Sequence, residues 1–467
     1  MQIPIISGIY ADSSPDLRTS YPRNLVPVPK VSGLSNGYLR QAEGLTANGT
    51  GPGISRGGIN WNGSLYRVMG NDLVRVESDG AAVTVATGIT GADNVRMTYS
   101  FDYLAIAGDS RLWLFKGHTL TEVTDPDLGA VLDVIWIDGY FMTTDGSSLV
   151  VTELTDPFAV NPLKYGSSEV DPDPVQCLLK LRNEAYALNR YTIETFNNIG
   201  GDFFPFQRVN GATIPQGCVG SRAATVFADA ICFVGGARDD SPAVWLGGNG
   251  SAAKISTREV EQVLAGYNAD ELEAIALETR SDAAHEHLWV RCADRTMVYD
   301  AAASAALHQP VWFDLTTSIV NYAEHRARDL VYCYNQWTVA DTQTANIGIL
   351  DKAQSAHWGE VNGWDFGIGI VYAEGRGAIF HELELIALTG NVALDKSPVV
   401  WSQHSLDGRT WSQERAAPAG KTGDRNVRIA WHGQGHMPRQ RTQRFRGTSD
   451  ANISPVRLEA RLEPLAH

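Results

Sequence analysis

The sequence predicts an all-β protein: a β-propeller of six or seven blades, with an extended N-terminal arm and a C-terminal antiparallel β-sandwich. Three observations carry this. Short apolar runs separated by Asn-Gly, Asp-Gly and Gly-Gly turns fill the middle of the chain. They group into units at roughly 35–45-residue spacing, the scale of one four-stranded blade. After about Trp364 the repeat stops, and longer runs alternating apolar with polar residues take over. The regions are an arm over 1–54, a propeller over 55–363 and a sandwich over 364–467.

The arm comes first. Pro4, Pro15, Pro22, Pro27 and Pro29 recur too often for a helix. "YPRNLVPVPK" reads as polyproline or edge-strand chain lying on something else. Tyr21, Pro22, Asn24, Leu25 and Pro27 are its candidate contact residues. The arm either packs on a neighbouring chain or wraps its own surface.

The propeller units follow. "GGINWNGSLYRVMGNDLVRVESDGAAVTVATGI" holds four strand-like runs, and "LDVIWIDGYFMTTDGSSLVVTEL" repeats the scheme. Later units are looser, and closure that mixes strands from both ends of the repeat leaves six or seven blades open. One segment breaks the pattern. "STREVEQVLAGYNADELEAIALETR" has helical apolar spacing, and Ser256 with Glu259 matches a capping box, so a helical insertion is expected near 256–280. In the sandwich, "FHELELIALTG", "SPVVWSQHS", "VRIAWHG" and "PVRLEARLEP" alternate as half-buried strands do.

Composition bounds the function. The 467 residues are 43% hydrophobic and 19% charged, as in ordinary globular proteins. No apolar run reaches the ~18 residues of a membrane helix, so no membrane partner is expected. Met1–Ala11 lacks the basic n-region of a secretory signal. Cys177, Cys218, Cys232, Cys292 and Cys333 are widely spaced and never form C-x-x-C; free buried thiols in a reducing cytoplasm are expected. The net charge is −15, unevenly spread. Lys396–His467 holds 12 Lys/Arg against 6 Asp/Glu, a net of +6, which leaves −21 on the rest. An acidic body of this size opposes nonspecific DNA binding, which needs many cationic contacts.

Motifs that would carry chemistry are few. His285 and His287 would share a strand face, as a metal site needs, but no third ligand is apparent by spacing, so they read as a polar hairpin end. "SLDGRTW", Ser405–Trp411, is one residue short of the Asp-box of sialidase-type propellers; there Asp caps a turn and Trp packs beneath it. Glu382 and Glu384 share a polar strand face, and "DPDP" at 171–174 reads as a rigid surface loop. No nucleophile elbow, Walker loop, dinucleotide fingerprint or zincin motif occurs. No catalytic residue, metal or cofactor is therefore expected.

The arginine run "MPRQRTQRFRG" remains. On an unbroken strand Arg439 and Arg441 share one face and Arg444 and Arg446 the other. Charge on both faces suits an edge or an interface. Arginine's planar fork binds carboxylates bidentately, and the most abundant nearby counter-charge is protein. Arg439, Arg441, Arg444 and Arg446 are thus expected at a subunit or ring interface, with a solvated edge strand as the plain alternative.

"YPRNLVPVP" followed by "GYLRQAEGLT", then "KISTREVEQVL", "HEHLWVRCADRTMVYDAAA", "VWFDL", "SLDGRTWS" and "RQRTQRFRG", resembles in order the packaged-DNA stabilization proteins, or tail accessory factors, of short-tailed bacteriophages. The resemblance implies a structural tail hub in the virion, made in the host bacterial cytoplasm. It implies a homo-oligomeric sixfold ring below the portal and its adaptor, which closes the channel after packaging and receives the tail needle and tailspikes. DNA would pass without specific binding. The competing function is a carbohydrate-active or glycan-binding propeller. That would need arginines and paired carboxylates in the propeller mouth, whereas the arginines cluster in the other domain.

Overall fold

A computed structural model describes residues 2–3, 21–30, 37–282, 284–371, 377–392, 394, 396–407 and 409–465. Of the expected arm, residues 1, 4–20 and 31–36 lie outside the described residues. So do Gly408 of the Asp-box-like turn and residues 466–467 of the sandwich.

The turn chemistry builds the blades. Asn62–Gly63, Asp138–Gly139 and Asn249–Gly250 take positive φ at both positions (52° and 77°, 49° and 93°, 51° and 81°). This is the two-residue turn whose twist matches that of paired strands. Six four-stranded antiparallel sheets follow one another over 55–87, 96–122, 133–167, 175–208, 224–254 and 276–315. The seventh takes three strands from 327–351 and its fourth from the N-terminal side, Gly44–Thr50, paired antiparallel with Asn346–Asp351. The propeller therefore has seven blades, and hydrogen bonds between the two ends of the repeat close the ring. Residues 44–50, expected in the arm, belong to the propeller. An isolated Gly-rich strand carries no sign of its partner, so the sequence could not place it. The close approach explains two glycines: a Cβ on Gly49 would lie 1.9 Å from the Gly80 carbonyl oxygen, and one on Gly80 2.0 Å from that of Asn48.

The helical insertion is shorter than expected. Helices span Arg258–Ala265 and Ala269–Glu273, and Ala276–Asp282 is already the innermost strand of the sixth blade. The capping box is Asn268/Glu271. Ser256 instead bonds the fifth blade, accepting from Val244 N at 3.2 Å, which leaves Thr257 at the N-cap. A further helix, Ala301–Leu307, begins at Asp300, which caps Ala303 N at 3.0 Å. All five cysteines are buried free thiols.

In the sandwich, Gly363–Val371, Gln440–Thr448, Val399–Ser405 and Arg415–Pro418 form one sheet in that order. Gln2–Ile3, Ser454–Pro464, Ala378–Leu388 and Ile429–His432 form the other, with His436–Met437 also on Ala378–Leu388. Trp364, Phe366, Phe380, Trp431 and Phe445 fill the space between. Phe366 and Phe445 are register partners and stack at 5.2 Å. Asp407 caps its turn, accepting from the N–H groups of Arg409 and Thr410 at 2.8 Å. Trp411, expected to pack beneath that turn, is instead 38% exposed.

Candidate functional site

Residues Pro22–Asn24 form a seam between the domains. Arg23 N donates to Asp365 O at 2.8 Å and Asp365 N to Arg23 O at 3.2 Å. On the other side Asn24 N donates to Asp314 O at 2.7 Å, and Asp314 N to Pro22 O at 2.9 Å. Asp314 lies on the outermost strand of the sixth blade and Asp365 on the first strand of the sandwich. Three residues thus join two sheets of different domains. Asn24 can do this because asparagine tolerates the left-handed conformation (φ 53°). Its amide donates to the carbonyls of Thr316 and Gly363 at 2.9 and 2.7 Å and accepts from Thr316 N at 2.9 Å.

The side chains complete the seam. The buried Arg23 donates from Nε to Asp365 Oδ2 at 2.7 Å and from Nη1 and Nη2 to the carbonyls of Asn321 and Ile319. Asp314 accepts from the Tyr322 hydroxyl at 2.9 Å, and the Arg295 guanidinium lies 3.5 Å from the Tyr322 ring centroid. Burial, opposed by Arg295 and by the Tyr322 hydrogen bond, pushes the Asp314 carboxyl up to about 6. Tyr21 bonds Thr257 and Glu259 on the helical insertion. Leu25 enters the sandwich core, and Pro27 pairs with Leu39 in a hairpin of Leu25–Pro29 with Gly37–Gln41. The candidate arm residues Tyr21, Pro22, Asn24, Leu25 and Pro27 are therefore held by their own chain. Apart from the local hairpin, the partners lie far downstream, Thr316 and Gly363 being 292 and 339 residues from Asn24, which is why spacing could not reveal them.

The four arginines separate. Gln440–Thr448 runs between two strands rather than at an edge, and its burial alternates. Arg441 points inward and is 0% exposed. It donates to Gln443 Oε1 at 2.9 Å, to the Gln434 carbonyl at 2.6 Å and to Gln434 Oε1 at 3.1 Å, and lies over the Phe380 ring. Burial without a carboxylate pushes its pKa down to about 10. Its expected place at a subunit interface is thereby corrected: it is a core residue, satisfied by amides. Arg444 and Arg446 point outward, to Asp365 at 3.1 Å and to Glu414. Arg439 precedes the strand and is exposed. Exposed Arg409, Lys421 and Arg425 were not singled out by the sequence reading; only the total of +6 pointed to them.

The innermost strands of all seven blades line a cavity of about 350 Å³ on the propeller axis. Arg222 pairs there with Asp329 at 3.2 Å, and Arg96 with Asp133 at 3.1 Å. At ~30 Å³ per water the cavity has room for about a dozen waters, far too little for a duplex. Glu382 and Glu384 are bound by Arg428 at 2.8 and 2.5 Å, and Asp171 by Arg238 at 2.9 Å. His285 and His287 are joined by a third group the spacing did not reveal, Asp300, the register partner of His287.

Residues 1–355 match the family described as bacteriophage P22 Gp10, β-propeller, and residues 363–463 the one described as bacteriophage P22 Gp10, β-sandwich. The chain belongs to the bacteriophage P22 Gp10 family. Within this tail hub family it is 27% identical over 371 residues to the tail hub protein gp10 of Salmonella phage P22, covering 75% of this chain and 76% of that one. Similar solved structures include the Neurospora crassa Pan2 WD40 domain (9% identity, TM-score 0.42, 66% of this chain and 95% of that one). Another is the N-terminal domain of Nup159 (9%, 0.41, 72% and 99%). Gp10-family membership makes the chain a structural component of a phage tail. Among the described residues, no helix is long and apolar enough to cross a membrane.

Proposed function

We propose that this chain is the tail hub of a short-tailed phage: a homohexameric ring below the portal and adaptor. The ring retains packaged DNA and receives the tail needle and tailspikes. The observation that supports it is family likeness running through both domains in order. The hub performs no catalysis, needs no cofactor and is made in the host cytoplasm. The conduit for DNA lies between copies, because the cavity within one propeller is too small. A heterologous contact repeated about an axis closes such a ring. An acidic body carrying −21 passes the polyanion without gripping it.

Arg439, Arg444 and Arg446 are the ring contacts. Arg444 and Arg446 already hold carboxylates of their own chain, and Arg439, exposed and in no ion pair among the described residues, adds its charge to theirs. The test is a phage whose gene for this chain is deleted. Heads should package DNA and then lose it, and electron microscopy should show tails lacking the ring. DNA-retaining particles without this protein would refute the proposal.

A further inference from the structure

His285 and His287 stand two residues apart on the second strand of the sixth blade, and Asp300 ends the third. His285 Nδ1 lies 2.5 Å from Asp300 Oδ2. His287 Nε2 lies 3.3 Å from the same oxygen and, among the described residues, makes no well-aligned hydrogen bond. The ligand atoms of the three residues all fall within 4.8 Å of one another. His287 and Asp300 are almost wholly buried; solvent reaches His285, whose side chain is 10% exposed. We propose that His285, His287 and Asp300 form a binding site for one borderline divalent metal ion of the zinc type, with solvent as a further ligand.

The chemistry fits. Two imidazoles and a monodentate carboxylate suit zinc and its neighbours, with bonds of ~2.0–2.2 Å. Ligand atoms around such an ion sit roughly 3–3.5 Å apart, so small side-chain rotations suffice. Asp300 divides its labour: Oδ1 caps the helix at Ala303 N, and Oδ2 faces the imidazoles. Arg280, the cation facing His287, is offset by Glu43 and Asp282.

The site lies where it affects the seam. Helix Ala301–Leu307 packs on both the histidine strand and Leu25–Pro29. A metal would lock that helix, and through it the hairpin, to the blade. Without metal, the His285–Asp300 hydrogen bond holds the same elements more weakly. The inference is independent of the tail hub reading.

The test uses the full chain, treated with chelator and dialysed. Titration calorimetry with Zn²⁺ should show one site, and excess Zn²⁺ should raise the thermal midpoint by a few degrees. Co²⁺ should give the visible absorption of a four- or five-coordinate nitrogen–oxygen site. His285→Ala, at a partly exposed position, should weaken binding about 100-fold or more and remove the thermal shift. Asp300→Asn, which keeps the cap acceptor, should do likewise. His432→Ala/His436→Ala, at exposed histidines elsewhere, should change neither. The proposal is overturned if the chain takes up no stoichiometric metal, or if His285→Ala and Asp300→Asn bind it as tightly as the parent. Loss of binding in His432→Ala/His436→Ala alone would also overturn it.

Discussion

Arg23 and Asp365 are tied three times: by two backbone hydrogen bonds of 2.8 and 3.2 Å and by an ion pair of 2.7 Å. One belongs to the N-terminal segment and the other to the sandwich, and both are buried. The carboxylate also accepts from Arg444 at 3.1 Å, so the outer face of the arginine-rich strand rests on the same seam.

Removing one partner leaves a buried charge. Arg23→Ala should destabilise the chain by about 3–5 kcal/mol, and Arg23→Lys should recover little of it, because two carbonyls and a carboxylate need the guanidinium fork. Urea denaturation followed by tryptophan fluorescence reads this; a midpoint equal to the parent's would show that the seam bears no strain.

Asp314 should give stability a distinctive pH dependence. Its carboxyl is raised from 3.8 to about 6, so the folded state holds the proton more tightly than the unfolded one. The stabilisation is complete below about pH 4 and is lost as pH rises through 6, spanning on the order of 3 kcal/mol. Asp314→Asn should flatten the slope between pH 4 and 6.5 and raise stability relative to the parent above it. Parallel parent and variant curves would refute the assignment.

On the acid side Glu43 acts with the opposite sign. Burial works against its ionised form, but the Arg280 hydrogen bond wins and holds its carboxyl down at about 2. Its stabilisation is present above about pH 4.5 and lost as pH falls toward 2. Glu43→Gln should lower stability at pH 7 and make no difference near pH 2, as read by thermal melts across that range.

The arginines should divide by burial. Arg441→Ala leaves a cavity and unpaired amide acceptors and should destabilise the sandwich by about 2–4 kcal/mol. Arg439→Ser should leave the denaturation midpoint unchanged, while Arg439→Ser/Arg444→Ser/Arg446→Ser should impair assembly into virions. Normal incorporation of the triple variant would show that this face meets only solvent.

Closure of the propeller should be sensitive at Gly49. Its Cβ would collide with a backbone oxygen at 1.9 Å, so the strand must shift and loosen its pairing. Gly49→Ala should cost about 2 kcal/mol or more, whereas Gly63→Ala, with open space around it, should cost less and only through its positive φ of 77°.

Repeating blades were legible because each is a local hairpin series whose turns announce themselves. Asn62–Gly63 and Asp138–Gly139 demand positive φ and supply residues that take it. Ala228–Asp229 and Tyr334–Asn335 make equally left-handed turns without glycine, and nothing local marks them. The alternation of Gln440–Thr448 showed a strand, but not that it lies inside a sheet, so Arg441 was placed with its neighbours in sequence rather than with Gln434 and Phe380.

By itself the sequence determined the propeller and sandwich, the free thiols and the acidic body with its basic end, since periodicity, turn residues and charge are local or additive properties. The seventh blade's closure by Gly44–Thr50, the seam of Arg23 and Asn24 and the meeting of His285 and His287 with Asp300 were decided by tertiary structure. Apart from proline, which lacks the N–H donor, every residue type offers the same backbone hydrogen bonds. A strand added from a distant segment therefore leaves no local trace, and the partner it finds depends on which sheet edge the rest of the fold leaves open.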